Sequence, residues 1–60
     1  MIRYVITEFP NGKGVNLSRE GDWGGLRFID AATAREYARC DAGTNAYAIR
    51  QHTARRNRSD

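Results

Sequence analysis

Nine of the ten cationic side chains in this 60-residue chain are arginines. Four of them, Arg50, Arg55, Arg56 and Arg58, fall within nine residues near the C-terminus. A guanidinium stays charged and presents a planar fork of donors that matches a phosphate or carboxylate in two places at once. The chemistry this run suggests is recognition of phosphates, with His52 beside it. Placement sharpens the point. Residues 1–49 carry six cations against six acids, whereas residues 50–60 carry four arginines against Asp60, so the whole net charge of +3 lies in the last eleven residues. A solvated tail that aids solubility is the competing reading. The run contains no aromatic residue on which a base could stack.

Catalytic chemistry has little to draw on. The single cysteine, Cys40, and the single histidine, His52, are the only conventional nucleophile–base pair. Cys40 falls near the end of a predicted helix, where the dipole disfavours a thiolate, so both read as inert. One cysteine allows neither an internal disulfide nor a cysteine-built zinc site. Asp22, Asp30 and Glu36 lack the spacing of a metal loop. A domain this small builds no cleft in which paired carboxylates could work. The expectation is a non-enzyme with no cofactor and no metal.

A second candidate site is Gly21-Asp22-Trp23-Gly24-Gly25. It is no phosphate loop, since no Lys-Ser/Thr follows and a strand rather than a helix comes next. Trp23 is either an exposed anchor for a partner protein or a ring folded back to cap a core that needs area. The second is the favoured expectation. Should the first hold, Arg19 and Arg27 would complete a partner surface with Trp23.

These residues need elements to position them. The one convincing helix lies within Phe28–Gly43. Asp30 is its expected N-cap, Ile29 is expected to pack back on the first turn, and Gly43 should end it. Ala34, Tyr37, Ala38 and Asp41 recur at helical spacing with Ala31 and Ala42 on the flank, a small-residue stripe that lets the helix lie close to a sheet. Ile2–Phe9 alternates as a strand, with Ile2, Tyr4 and Ile6 on one face. Pro10–Gly14, with its Asn-Gly pair, is a tight turn. Val15–Glu20 is the hairpin partner, Leu26–Ile29 a short third strand with Leu26 and Phe28 inward, and Ala46–Gln51 a fourth with Tyr47 and Ile49 inward. The fold class expected is small α+β, in the order ββ(β)αβ. It has a mainly antiparallel sheet of three or four strands, one face under the helix and one open. A right-handed strand–helix–strand crossover makes the last strand parallel to the strand before the helix and, in a meander, to the first. The preferred picture sets it beside the first, a position that sequence does not fix. The open face would carry Arg3 or Thr7, Asn16, Ser18 and Arg27. Residues 1–52 form one domain and 53–60 a basic, flexible tail.

A chain of this length buries only about 60% of its unfolded surface, so folding against a partner or as a homodimer would make up a shortfall. No signal-like or membrane-spanning apolar run occurs, which with the lone cysteine predicts a cytoplasmic protein in a bacterial host cell that contacts no membrane.

At the level of pattern, Phe28, Ala31-Ala32-Thr33, Ala38 and Tyr47-Ala48-Ile49 resemble short bacterial domains built from a strand hairpin, a phenylalanine-led helix and a closing strand. The opening Tyr4-Val5-Ile6 strand and the Ala-Ala-Thr helix start also resemble small phage-encoded anti-CRISPR proteins, over residues 2–50. That likeness implies an inhibitor that docks on a CRISPR-Cas-type nucleoprotein complex and blocks nucleic-acid binding or cleavage without catalysis. The basic tail departs from the acidic, DNA-mimicking members of that group. The alternative is a small nucleic-acid-binding module that uses Arg50, His52, Arg55, Arg56 and Arg58.

Overall fold

The structure, a computed structural model, describes residues 1–10 and 12–53. Alternating apolar residues set the sheet. Strands β1 (Ile2–Glu8) and β2 (Val15–Arg19) form an antiparallel hairpin, with Ile6 opposite Leu17 and Glu8 opposite Val15. Strand β3 (Leu26–Phe28) pairs antiparallel with β2, and β4 (Tyr47–Thr53) pairs parallel with β1. The order across the sheet is β3-β2-β1-β4. The expected α+β fold is therefore present. The last strand lies beside the first and parallel to it, and the chain reaches it from β3 at the opposite edge through helix α1 (Ala31–Ala42).

The helix begins where its first free amides find a partner. Asp30, in extended conformation, accepts the Thr33 amide at 2.8 Å. It ends at Gly43, whose φ of 63° lets its amide reach the carbonyls of Arg39 and Cys40. Ala34, Ala38 and Ala42, four residues apart, point at the sheet and are 0–1% exposed. With only a methyl between backbone and sheet, the helix packs directly onto Tyr4, Ile6, Val15 and Leu17. Ile2, Phe28, Ala31, Tyr47 and Ile49 close the margins of this core.

Four details depart from expectation. Strand β4 continues to Thr53, beyond the expected end at Gln51, so His52 and Thr53 are strand residues. Its extension is held by Glu8, which accepts from Thr53 Oγ1 at 3.2 Å and from Gln51 Nε2 at 3.0 Å. Ile29 does not pack back on the helix; it is 81% exposed. The alternation explains this: Phe28 faces the helix, so the next residue faces away, and Phe28 meets Tyr37 with ring centroids 5.3 Å apart. Leu26 is on the inward side yet half exposed, because β3 is the sheet edge. Tyr37 is likewise half exposed, at the rim rather than in the core.

Candidate partner and nucleic-acid interface

The same alternation that buries Tyr4, Ile6, Val15 and Leu17 sends their neighbours to the opposite face, which no element among the described residues covers. Register then lines these neighbours up. Arg27 lies opposite Asn16, Asn16 opposite Thr7, and Thr7 opposite His52, one row running across all four strands. With neighbouring strands about 4.8 Å apart, the row is about 14 Å long. A second row places Ser18, Val5 and Arg50 side by side. Glu20 lies next to Arg3, to whose carbonyl its amide donates at 2.8 Å, and Arg3 is opposite Ala48. Side chains in the middle of the face are small or polar, and cations stand at its margins.

Each cation is held differently. The Arg27 guanidinium lies over the Phe9 ring, 4.4 Å from its centroid, and donates from Nη2 to the Lys13 carbonyl at 3.2 Å. The two contacts hold its position, and the residue remains exposed. Arg3 and Arg50 share one acid: their nearest nitrogens are 3.9 Å and 4.0 Å from the two oxygens of Glu20. Contacts this long between exposed groups contribute little, and both guanidinium groups keep donors to spare. His52 Nε2 and Thr7 Oγ1 are 3.2 Å apart, either group donating according to the imidazole tautomer. The described part of this face thus carries Arg3, Arg27, Arg50 and His52 against Glu20 alone. Residues 55, 56 and 58 of the arginine run lie outside the described residues.

Arg19 stands apart from Arg27. It projects on the helix side of the sheet, where Nη2 donates to Asp41 Oδ2 at 3.0 Å. The same oxygen accepts the phenol of buried Tyr4 at 2.6 Å. The Tyr4 hydrogen bond first, and that of Arg19 second, hold the Asp41 carboxyl below its usual range. Burial first, then the hydrogen bond and charge of Asp41, push the Tyr4 phenol up. Arg19 is therefore engaged in fastening the last helical turn to the sheet. A single flat partner surface does not take in both arginines.

Trp23 does not fold back. It is 97% exposed, on a turn whose Gly21, Gly24 and Gly25 all have positive φ. Gly25 sits so close to the β2 backbone that a Cβ there would collide with the Leu17 carbonyl oxygen. The turn is pinned there and carries the indole beyond the reach of the core. A shallow depression of about 170 Å³ opens near the base of this turn, lined in part by Asp22, Leu26 and Tyr37.

Sequence pattern made the open-face residues of β1, β2 and β3 visible. It missed Phe9 as the support of Arg27, Glu20 as the acid between Arg3 and Arg50, and His52 as part of the row. Parity would have found the last two: Glu20 shares a face with Asn16 and Ser18, and His52 is opposite in phase to Tyr47 and Ile49. Cys40 is exposed near the helix end. No three His, Cys, Asp or Glu side chains among the described residues converge as metal ligands would, and no helix among them is long and apolar enough to cross a membrane. Comparison of the chain with known protein families, with curated proteins and with solved structures gives no match.

Proposed function

We propose that this protein is a non-enzymatic binding protein that docks on a nucleoprotein complex and obstructs its handling of nucleic acid, as the resemblance to phage-encoded inhibitors of bacterial defence implies. The observation that carries the reading is the nearly complete exposure of Trp23. A small domain is short of apolar burial, and an indole offers more of it than any other side chain. Holding that ring in water on a turn of three glycines makes physical sense where a partner protein covers it, and tryptophan is among the residues most enriched at the centres of such contacts. The cationic sheet face supplies a second surface, suited to the nucleic acid of the same target.

Affinity capture from bacterial lysate tests this, with and without nuclease. The full chain is expected to retain a large protein partner that resists nuclease, and Trp23→Ala is expected to release it. Retention of the same partner by a Trp23→Ala, Arg27→Glu double variant would refute the assignment of this surface. A specific observation favours a second reading, a nucleic-acid-binding module: among the described residues the open face carries three arginines and a histidine against one glutamate. In that case nuclease treatment empties the bait.

A further inference from the structure

We propose that the open face of the sheet is a binding site for single-stranded RNA, laid across the four strands with one base stacked on Arg27 and its phosphates held at the far margin by Arg50 and Arg3. The site takes Arg50 from the arginine run and none of residues 55, 56 and 58. It deepens the nucleoprotein reading above and rests on it for the presence of nucleic acid at the target.

Three observations point the same way. The first is charge complementarity. Arg3, Arg27 and Arg50 share this face with one acid, Glu20, whose contacts to Arg3 and Arg50 are 3.9 Å and 4.0 Å long. A phosphate displaces such loose contacts at little cost. On the helix, by contrast, Arg39 is bound to Glu36 at 2.7 Å and Arg35 to Gln51 at 2.6 Å. The surplus of loosely held donors therefore belongs to the sheet face.

The second is the stacking of Arg27 on Phe9. Bases of single strands stack on aromatic rings and on guanidinium planes. Here the ring already backs the guanidinium at 4.4 Å, and the Lys13 carbonyl fixes its rotation. The exposed guanidinium is thus held in place on the face before any base arrives, which lowers the ordering cost of stacking.

The third is shape. Reading a duplex takes an element that enters a groove, a helix or a two-stranded ribbon. Here the face is an open sheet surface with Val5 and Ser18 on its two central strands, and no helix among the described residues lies on it. A single strand needs only such a platform. Asn16, Thr7 and Ser18 stand between the cations with hydroxyl and amide groups that can donate and accept, the chemistry that meets a ribose 2′-hydroxyl.

Fluorescence anisotropy of the full chain with a labelled 12-nucleotide RNA, the DNA of the same sequence and the matching duplex tests this between 50 and 200 mM salt. The expected result is preferential binding of the single-stranded RNA. Arg27→Ala should weaken it about tenfold by removing the stack. Arg50→Ala should lower the slope of log affinity against log salt by about 0.7, one phosphate contact to a single strand. All three arginines are exposed, and circular dichroism confirms that the variants fold. Three results overturn the proposal: equal or tighter binding of the DNA strand or the duplex, no binding of any of the three, and loss of binding only when Arg55, Arg56 and Arg58 are all replaced by alanine. The capture experiment keeps the two ideas separable. A nuclease-resistant partner lost with Trp23→Ala, together with no affinity for RNA, leaves the docking reading standing and this one refuted. RNA affinity without any captured protein does the reverse.

Discussion

Replacing Tyr4 by phenylalanine removes one oxygen from the best-buried polar contact in this fold. Tyr4 is 3% exposed, and its hydroxyl donates to Asp41 at 2.6 Å. The phenylalanine ring would keep the apolar burial and the edge-on contact with Tyr47, whose centroid is 6.1 Å away. Only the hydrogen bond is lost. Bonds to a charged acceptor contribute about 1.5–3 kcal/mol. Asp41 retains a third of its side-chain exposure and its contact with Arg19, so water re-solvates the freed lone pair and the lower end applies, about 1.5 kcal/mol. Against a total stability of roughly 3–9 kcal/mol for 60 residues, that is a large share. It corresponds to a fall in Tm of about 5–10 °C. The effect has a pH signature. Asp41 titrates below the ordinary carboxylate range, so its contribution is fully present above about pH 4 and is lost as pH falls through the folded value. Tyr4 titrates above the ordinary phenol value, so its contribution is complete below about pH 10 and is lost as pH rises through the folded value. The gap between wild type and Tyr4→Phe should therefore be widest between those limits and narrow at both extremes. Urea denaturation followed by circular dichroism at pH 3, 7 and 10.5 measures it. Equal stability of the two proteins at pH 7, or a gap unchanged at pH 3, refutes this account of how the helix is fastened.

The two glycines after Trp23 should behave differently. Gly25→Ala drives a Cβ into the Leu17 carbonyl and within 2.9 Å of Asn16 Nδ2, whereas a Cβ on Gly24 meets nothing within 4 Å. Gly24→Ala should cost only the strain of its positive φ, about 1 kcal/mol, and Gly25→Ala clearly more, with loss of β3 protection in amide hydrogen exchange. Ala38, 0% exposed beneath the helix, has no room to grow. Ala38→Leu should push helix from sheet and cost about 1–3 kcal/mol, read as a lower urea midpoint.

Where the sequence was legible, two physical signals agreed. Period-two alternation in β1 and β2 and an alanine stripe of helical period each require a partner face, and each supplies the other's. The N-cap and the C′ glycine were visible because the conformations they allow are local. Trp23, Ile29 and the end of β4 were read less well, since none is decided locally. The position of Trp23 follows from the close approach of Gly25 to the β2 backbone, a contact between segments eight residues apart in sequence. The last residues of β4 are polar and carry no strand pattern, yet Glu8 on β1 holds Gln51 and Thr53 in register. In the candidate site, the sequence showed which side chains lie on the open face of β1, β2 and β3. The pairing of Arg19 with Asp41 was hidden, because a helix residue and a strand residue meet only once the layers are packed.

The two faces of the sheet make different demands on this chain. Among the described residues one alanine-lined helix is all there is to cover it, and that helix lies over the side bearing Tyr4, Ile6, Val15 and Leu17. The other side must then be stable in water, and its composition meets that condition: Asn16, Ser18, Thr7, Glu20 and three arginines, with Val5 only partly exposed among them. A surface built merely for solubility has no reason to set one arginine over an aromatic ring or to give two arginines a single distant acid. A more balanced mixture of signs would serve as well, and the outer face of the helix, where Glu36 and Arg39 pair closely, is made that way. Among the described residues the cationic imbalance is confined to the one face that the fold leaves free. That confinement, more than the net charge, is the reason to look for an anionic partner there.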